Sequence, residues 1–428
     1  MIKLLILSDD FTGALDTSVH FAKNGVKTKV VFERNYLFSQ DDDTEVAVID
    51  AETRHISPGE AYSVIYSIVR RGMDAGISYF YLKTDSALRG NIGSCLEALL
   101  RASEAKMLPF IPAYPKMKRF TKKGIHYIDT VKVGESVFGK DPFNPVTSSS
   151  VREIISQQTD IPCLEVYSRD KTVTAEIKTP SVVIYDSETD MDIRYWAEKL
   201  STEGNLKIMA GCAGFASILP GIFRIKKSGS RKISLKNGIF AVSGSINPIT
   251  LEQIGYAAEN GFRYYPVLDI VRKMLKEKDY IFAGSREFSE LADLCRHNPY
   301  LIIDSSGNTG ENPAEGLARE TGFSLDQLRE RIPQILGSIS KELLNVNRDS
   351  ILMITGGDTL IGLLRALDVH DMEPIEEIMP GIVLSSFIYR GEPYEIITKS
   401  GGFGEKDIFL GLINCLKERE NESGWSIV

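Results

Sequence analysis

Short apolar runs, each ending in a polar turn and leading into a helical segment, constrain this chain more than any other feature. Near the N-terminus Leu4–Leu7, Lys29–Phe32, Val46–Ile49 and Tyr79–Leu82 read as strands. Helices are predicted from about Gly13 to Asn24, Pro58 to Arg71 and Ile92 to Ala102. Short strands that alternate with helices imply a parallel sheet covered on both faces. Ligands of such sheets bind beyond the carboxyl ends of the strands. The rhythm lapses between Lys116 and Ser150, where alternating residues around Gly124 and Gly134 predict a hairpin that serves as an arm or lid. It returns with Val182–Tyr185 and Ile208–Ala210.

A chain of 428 residues is long for one core, and the alternation restarts after a charged, aperiodic linker candidate, Lys226 to Lys232. Beyond it Ile239–Val242, Leu301–Ile303 and Ile351–Ile354 are strand candidates. The expected class is α/β, with two domains, 1–228 and 233–428, each a mostly parallel sheet flanked by helices. A net charge of −8 argues against nucleic acid or an anionic membrane as the main partner. Five dispersed cysteines fit reduced thiols in the cytoplasm, and no Cys/His spacing suits zinc. The opening apolar run is too short for a signal peptide, and no stretch approaches a membrane span.

Two acid- and base-rich motifs sit at predicted strand ends in the first half. SDDFTGALD (Ser8 to Asp16) places Asp9 and Asp10 after a buried strand. Asp10 and Asp16 can accept hydrogen bonds from substrate hydroxyls; the plainer alternative is a capping acid at a sheet edge. KTDSALRG (Lys83 to Gly90) gathers Lys83, Asp85, Ser86 and Arg89. Arg89 can grip a carboxylate with two bonds, Lys83 adds a point charge, and Asp85 can take a hydroxyl proton. The alternative is an internal Lys–Asp–Arg ion network. Arg54, after the strand Val46–Ile49, is a second carboxylate partner. The five histidines form no cluster, and His55 and His126 read as surface or supporting residues.

The second half carries small-residue turns instead. SGS (Ser243 to Ser245) precedes Asn247 and Pro248, an N-cap and a first helical residue. TGGDT (Thr355 to Thr359) and SGGFG (Ser400 to Gly404) also follow extended segments. Such turns offer backbone N–H groups to phosphates, or are plain loops. Asp358 reads as an N-cap, or as a carboxylate facing a nucleotide through Mg²⁺. Neither GxxxxGK[ST] nor GxGxxG occurs, which counts against a P-loop and a nicotinamide enzyme.

The order and spacing of DDFTGALD, the Arg54 segment, KTDSALRG, DPFNPVTSS, GCAGFAS, SGSINPIT, TGGDT, PGIV and KSGGFG resemble the four-carbon acid sugar kinases nearly end to end. That family, once a domain of unknown function, includes 3-oxo-tetronate, threonate and erythronate kinases. The resemblance implies an N-terminal domain for the acid sugar, a C-terminal domain for ATP with Mg²⁺, and phosphorylation of the C4 hydroxyl. It assigns acid-sugar contacts to Asp10, Arg54, Lys83, Thr84, Asp85 and Ser86, with Arg89 beside them. The carboxylate would be held by Arg54 and Lys83 or Arg89, and Asp85 or Asp10 would be catalytic. ATP contacts would be Ser243, Ser245, Gly356, Gly357, Asp358, Thr359, Gly401 and Gly402. Ala87 stands where the family usually has Thr, KMKRFTKKG where it is richer in Gly-Arg-Thr-Thr, Asp358 for Glu and Gly402 for Asn. Two other readings are carried: a ribokinase-like sugar kinase, whose GxGD turn TGGDT loosely resembles, and a non-catalytic acid-sugar or nucleotide sensor. Partners are small molecules, and a homodimer is compatible with the sequence.

Overall fold

The N-terminal apolar runs form β1 (Leu4–Ser8), β2 (Thr28–Val31), β3 (Val46–Asp50) and β4 (Tyr79–Lys83). The computed structural model describes residues 2–38, 43–141, 144–169, 177–223, 238–277, 279–307, 313–346 and 350–423. The linker candidate Lys226 to Lys232 lies outside them. The chain divides into two compact units, Met1–Gly229 and Ser230–Val428.

In the first unit β5 (Met107–Ile111), an arm of β6 (Arg119–Lys122), β7 (Ile125–Ile128) and β8 (Val131–Lys132), and then β9 (Cys163–Val166), β10 (Ser181–Tyr185) and β11 (Ile208–Gly211) follow. The main sheet runs β2-β3-β1-β4-β11-β5-β10-β9, and every pair in it is parallel. Helices α1 (Phe11–Ala22), α2 (Pro58–Asp74), α3 (Ile92–Ala102), α4 (Val151–Ser156), α5 (Asp190–Thr202), α6 (Ala213–Ala216) and α7 (Leu219–Phe223) supply the crossovers and flanks. Local sequence explains α2 well. Ser57 and Glu60 form a capping box, and Pro58 sits in the first turn. Ala61, Ile65, Ile68 and Val69 then fall on one buried face. Each such Ile contributes about 2 kcal/mol by leaving water.

Strand order places the first site. From β1 the chain builds β2 and β3 on one side, then crosses to put β4 on the other. The crevice between the ends of β1 and β4 is therefore a topological switch point. Ser8 pairs with both Asp50 and Lys83, and Lys83 with Gly211, so four strands end together. The predicted hairpin is present as the antiparallel β6-β7-β8 arm. It is tied back by bridges Thr121–Ser187 and Ile125–Ser150.

The second unit holds β12 (Gly238–Ser243), β13 (Arg263–Pro266), β14 (Tyr300–Asp304), β15 (Ser350–Thr355), β16 (Asp371–Met379), β17 (Ile382–Tyr389) and β18 (Glu392–Lys399). Its helices are α8 (Pro248–Glu259), α9 (Leu268–Lys276), α10 (Arg286–His297), α11 (Pro313–Thr321), α12 (Leu325–Leu344), α13 (Gly357–Leu367) and α14 (Ile408–Ser423). The order is β13-β14-β12-β15-β18-β17-β16, parallel up to β18 and antiparallel beyond it. β13-β14-β12-β15 repeats the order β2-β3-β1-β4, so this unit has its own switch point between β12 and β15. The β16-β17-β18 meander is an addition to the strands expected from sequence, as are β5, β9 and β13. An apolar core underlies each sheet, around Leu5, Ile49, Phe80 and Leu96 in the first unit and Ala241, Ile302, Met353 and Ile397 in the second.

Candidate functional site

At the first switch point Asp10 caps α1, its Oδ1 accepting from the Gly13 amide at 2.9 Å. The helix thus begins at Phe11, two residues before the position expected from its pattern. Arg54 arrives from the loop after β3. It donates from Nε to Asp9 at 2.7 Å and from Nη1 to Asp10 at 2.6 Å, with Nη2 3.5 Å from Asp85. Asn91 steadies that loop by donating to the Thr53 and Ile56 carbonyls. The KTDSALRG turn follows β4 and is wound around Asp85, which accepts from the amides of Ala87 and Arg89 and from the Arg89 guanidinium. Arg89 also reaches Asp141 at 3.1 Å. Lys83 donates to the Thr84 carbonyl at 3.0 Å. Its Nζ and Asp10 Oδ1 each lie 2.6 Å from where a Cβ on Gly13 would stand, so both converge there. The Thr84 hydroxyl is buried without a partner.

The residues that the resemblance assigns to the acid sugar are therefore in one place, together with Asp9, Asp50 and Arg119, while Asp16, the other candidate acceptor, lies further along α1. The charges are dense. Burial alone would raise the Asp85 pKa, but Arg54 and Arg89 outweigh it and hold the carboxyl well below its usual range. Asp10 follows the same balance, burial opposed by Arg54 and Lys83, with a net lowering. Burial wins at Asp9 and at Asp50, whose carboxyls are pushed up. Both keep one buried oxygen without a partner. His126 is fully buried, hydrogen-bonded to the Ser86 carbonyl and the Thr121 hydroxyl, and pushed down to about 4 by burial. It braces the turn as a neutral imidazole. The Ala87 methyl is buried in the core, so the hydroxyl missing there is absent from the core and not from the site.

At the second switch point Asp304, Ser243, Thr355 and Lys399 stand side by side across β14, β12, β15 and β18, all buried. Gly356 has φ of 97°, a conformation that favours glycine, and starts α13 with no side-chain cap. Asp358 is not that cap: it lies inside α13, mostly exposed, 3.8 Å from Arg329. A Cβ on Gly244 would be 2.7 Å from Thr359 Oγ1 and 2.8 Å from Leu336, so backbone and hydroxyl meet at close range. Beside them the SGGFG turn is pinned by its carbonyls. Thr250 donates to Gly401, Gln253 to Phe403, Gly404 and Glu405, and Lys399 to Ser400 and Gly401. Ser245 and Asn247 face Gly401 and Gly402 across this gap. All the expected nucleotide residues are thus gathered, with Asp358 at the rim. The sequence reading missed Asp304, Lys399, Thr250 and Gln253. Their signal was a polar residue closing an apolar strand, or a polar residue on the buried face of a helix.

Residues 4–219 match the model of a sugar-binding N-terminal domain, and residues 240–409 that of a nucleotide-binding C-terminal domain. The chain belongs to the four-carbon acid sugar kinase family. Among its relatives a D-threonate kinase of Salmonella typhimurium is 27% identical over 427 residues, covering 97% of this chain and 99% of the relative. A 3-oxo-tetronate kinase of Pseudomonas savastanoi is 24% identical over 432 residues, covering 96% of each. A solved Salmonella typhimurium structure, provisionally labelled a tRNA synthase, has the same fold with a TM-score of 0.76 at 19% identity, over 96% of this chain and 98% of that one. Among the described residues no helix is long and apolar enough to cross a membrane.

Proposed function

We propose that this family member is a cytoplasmic kinase that transfers the terminal phosphoryl group of ATP to the C4 hydroxyl of a four-carbon acid sugar. One observation carries the reading. The two units repeat one switch-point topology and furnish it with opposite chemistry: charged side chains in the first, close-packed backbone turns in the second. The first suits a polyhydroxy anion, the second a nucleotide. Its relatives named as threonate and 3-oxo-tetronate kinases support the substrate class.

The second site fits a nucleotide. The uncapped start of α13, the turns at Gly244 and Gly356, and the Thr359 hydroxyl meet phosphate oxygens. Asp304 Oδ1 and Thr355 Oγ1 are buried and unpartnered. Mg²⁺ takes one or two carboxylates besides phosphate oxygens, and Asp304 is the buried carboxylate placed to offer one. Bound with ATP, the ion neutralises charge on the phosphates.

In the acceptor site Asp10 is the proton acceptor. Its side chain is 28% exposed, against 8% for Asp85. Asp10 accepts two hydrogen bonds, whereas Asp85 accepts four, three at Oδ2 and one at Oδ1, with Arg54 3.5 Å from Oδ1. Asp85 braces the turn that presents Lys83, Thr84 and Ser86. Positioning and charge neutralisation supply most of the rate. A screen of four-carbon sugar acids with ATP-Mg²⁺, read by ADP release, tests the reading. Release is expected only with an acid present; nucleotide and acid binding without turnover would instead leave a sensor.

A further inference from the structure

A ligand carboxylate needs a cation with donors to give, and the two arginines expected to provide them are occupied. Arg54 serves Asp9 and Asp10 and approaches Asp85; Arg89 serves Asp85 and Asp141. Turning either towards a ligand would strand a buried carboxylate, which is unfavourable. In the KTDSALRG turn and the β6 strand that contacts it, Lys83 and Arg119 have, among the described residues, no carboxylate within ion-pair distance. Arg119 opens β6, in the segment where this chain departs from the family pattern. One of its terminal nitrogens donates to the neutral Ser86 hydroxyl, and its Nε is buried with no partner. Its place is fixed in advance. Paired amide bonds with Tyr114 hold its backbone, and its guanidinium lies 5.2 Å from the centre of the Phe138 ring, which also backs Arg89 at 5.1 Å. Lys83 opens the same turn whose Ser86 hydroxyl Arg119 engages, so the two cations bear on one region. The unpartnered Thr84 hydroxyl belongs to the same turn.

We infer that Arg119, with Lys83, binds the carboxylate of the acid-sugar acceptor, while Arg54 and Arg89 hold the site's own carboxylates in place. This rests on the acceptor half of the proposed function and replaces Arg54 and Arg89 as the carboxylate grip. A planar fork with an unpartnered Nε can form the two-bond pair that favours a carboxylate over an amide of the same shape.

The test is calorimetry without ATP, titrating D-threonate and its amide into the full chain and into Arg119→Met and Arg119→Lys. Arg119→Met should weaken threonate by at least ~10-fold while hardly changing the amide, so that the preference for the acid collapses. ATP affinity and melting temperature should stay near wild type. Arg119→Lys should fall between, and carries the test if the methionine variant does not fold. Unchanged threonate affinity in a folded variant, or an equal loss for acid and amide, overturns the inference. Failure of the kinase reading looks different: wild type would bind threonate through Arg119 yet release no ADP.

Discussion

Arg89 and Asp85 form a two-bond pair four residues apart, Nε to Oδ2 at 2.9 Å and Nη2 to Oδ1 at 3.1 Å. The same carboxylate closes the turn by accepting two backbone amides, next to Leu88 at φ 62°. A left-handed non-glycine residue costs about 1–2 kcal/mol, which the turn's hydrogen bonds must offset. Asp85→Asn should therefore destabilise the protein by about 3 kcal/mol, because it leaves buried guanidinium donors unpaired. Chemical denaturation checks this. A variant as stable as wild type would show that the pair is not the brace of the turn.

Asp10→Asn should behave in the opposite way. Asparagine caps a helix as well as aspartate, so the bond to the Gly13 amide survives; Arg54 loses one charged partner but keeps Asp9 and the nearby Asp85, so stability falls less than in Asp85→Asn. The proton acceptor is gone, and kcat should drop by roughly 10²-fold or more. A larger kinetic loss in Asp85→Asn than in Asp10→Asn, measured on folded protein, would reverse the two roles.

Lys399 gives a pH signature to stability. Burial pushes its ammonium from 10.5 down to about 8. Between those values the unfolded chain binds more protons than the folded one, so this residue's contribution to stability rises with pH. Below about pH 8 the full cost of burying the charge is present. The stability of wild type relative to Lys399→Met should thus improve steadily from pH 8 to pH 10. A flat difference, measured by denaturant titration, would mean that the ammonium is not buried as described.

Gly244→Ala probes the nucleotide turn. Its Cβ would sit 2.7 Å from Thr359 Oγ1 and 2.8 Å from Leu336, displacing the hydroxyl or the backbone. The KM for ATP should rise about tenfold or more, with the acceptor affinity little changed. Equal loss of both affinities would point to a general disturbance of the fold.

The strands β5, β9 and β13 were not foreseen, β13 because Arg263–Pro266 carries no apolar run; the other parallel strands were legible because each is an apolar run between turn residues. Their ends were not: Ser8, Asp50 and Lys83 extend β1, β3 and β4 by one polar residue. Those added residues carry the chemistry, since a strand's last side chain faces the crevice and not the core. The β16-β17-β18 meander was harder to read, because acidic Asp371–Met379 lacks an apolar run and contains Pro374. The site motifs were legible as clusters, but their pairing was not. Sequence offered Arg54 and Arg89 as grips for a ligand carboxylate. Only the fold places Asp9, Asp10 and Asp141 against them. Arg119 lay unnoticed in a lysine-rich segment, because its value comes from what it lacks, a carboxylate partner.

Transfer of a phosphoryl group to one hydroxyl leaves its mark in the product. Wild type incubated with ATP-Mg²⁺ and a panel of four-carbon sugar acids, followed by phosphorus–proton correlation spectroscopy, locates the new ester. A phosphomonoester on the C4 oxygen of at least one acid, formed in step with ADP, is expected. Phosphate attached elsewhere, or ADP formed at the same rate without any acid, would contradict it.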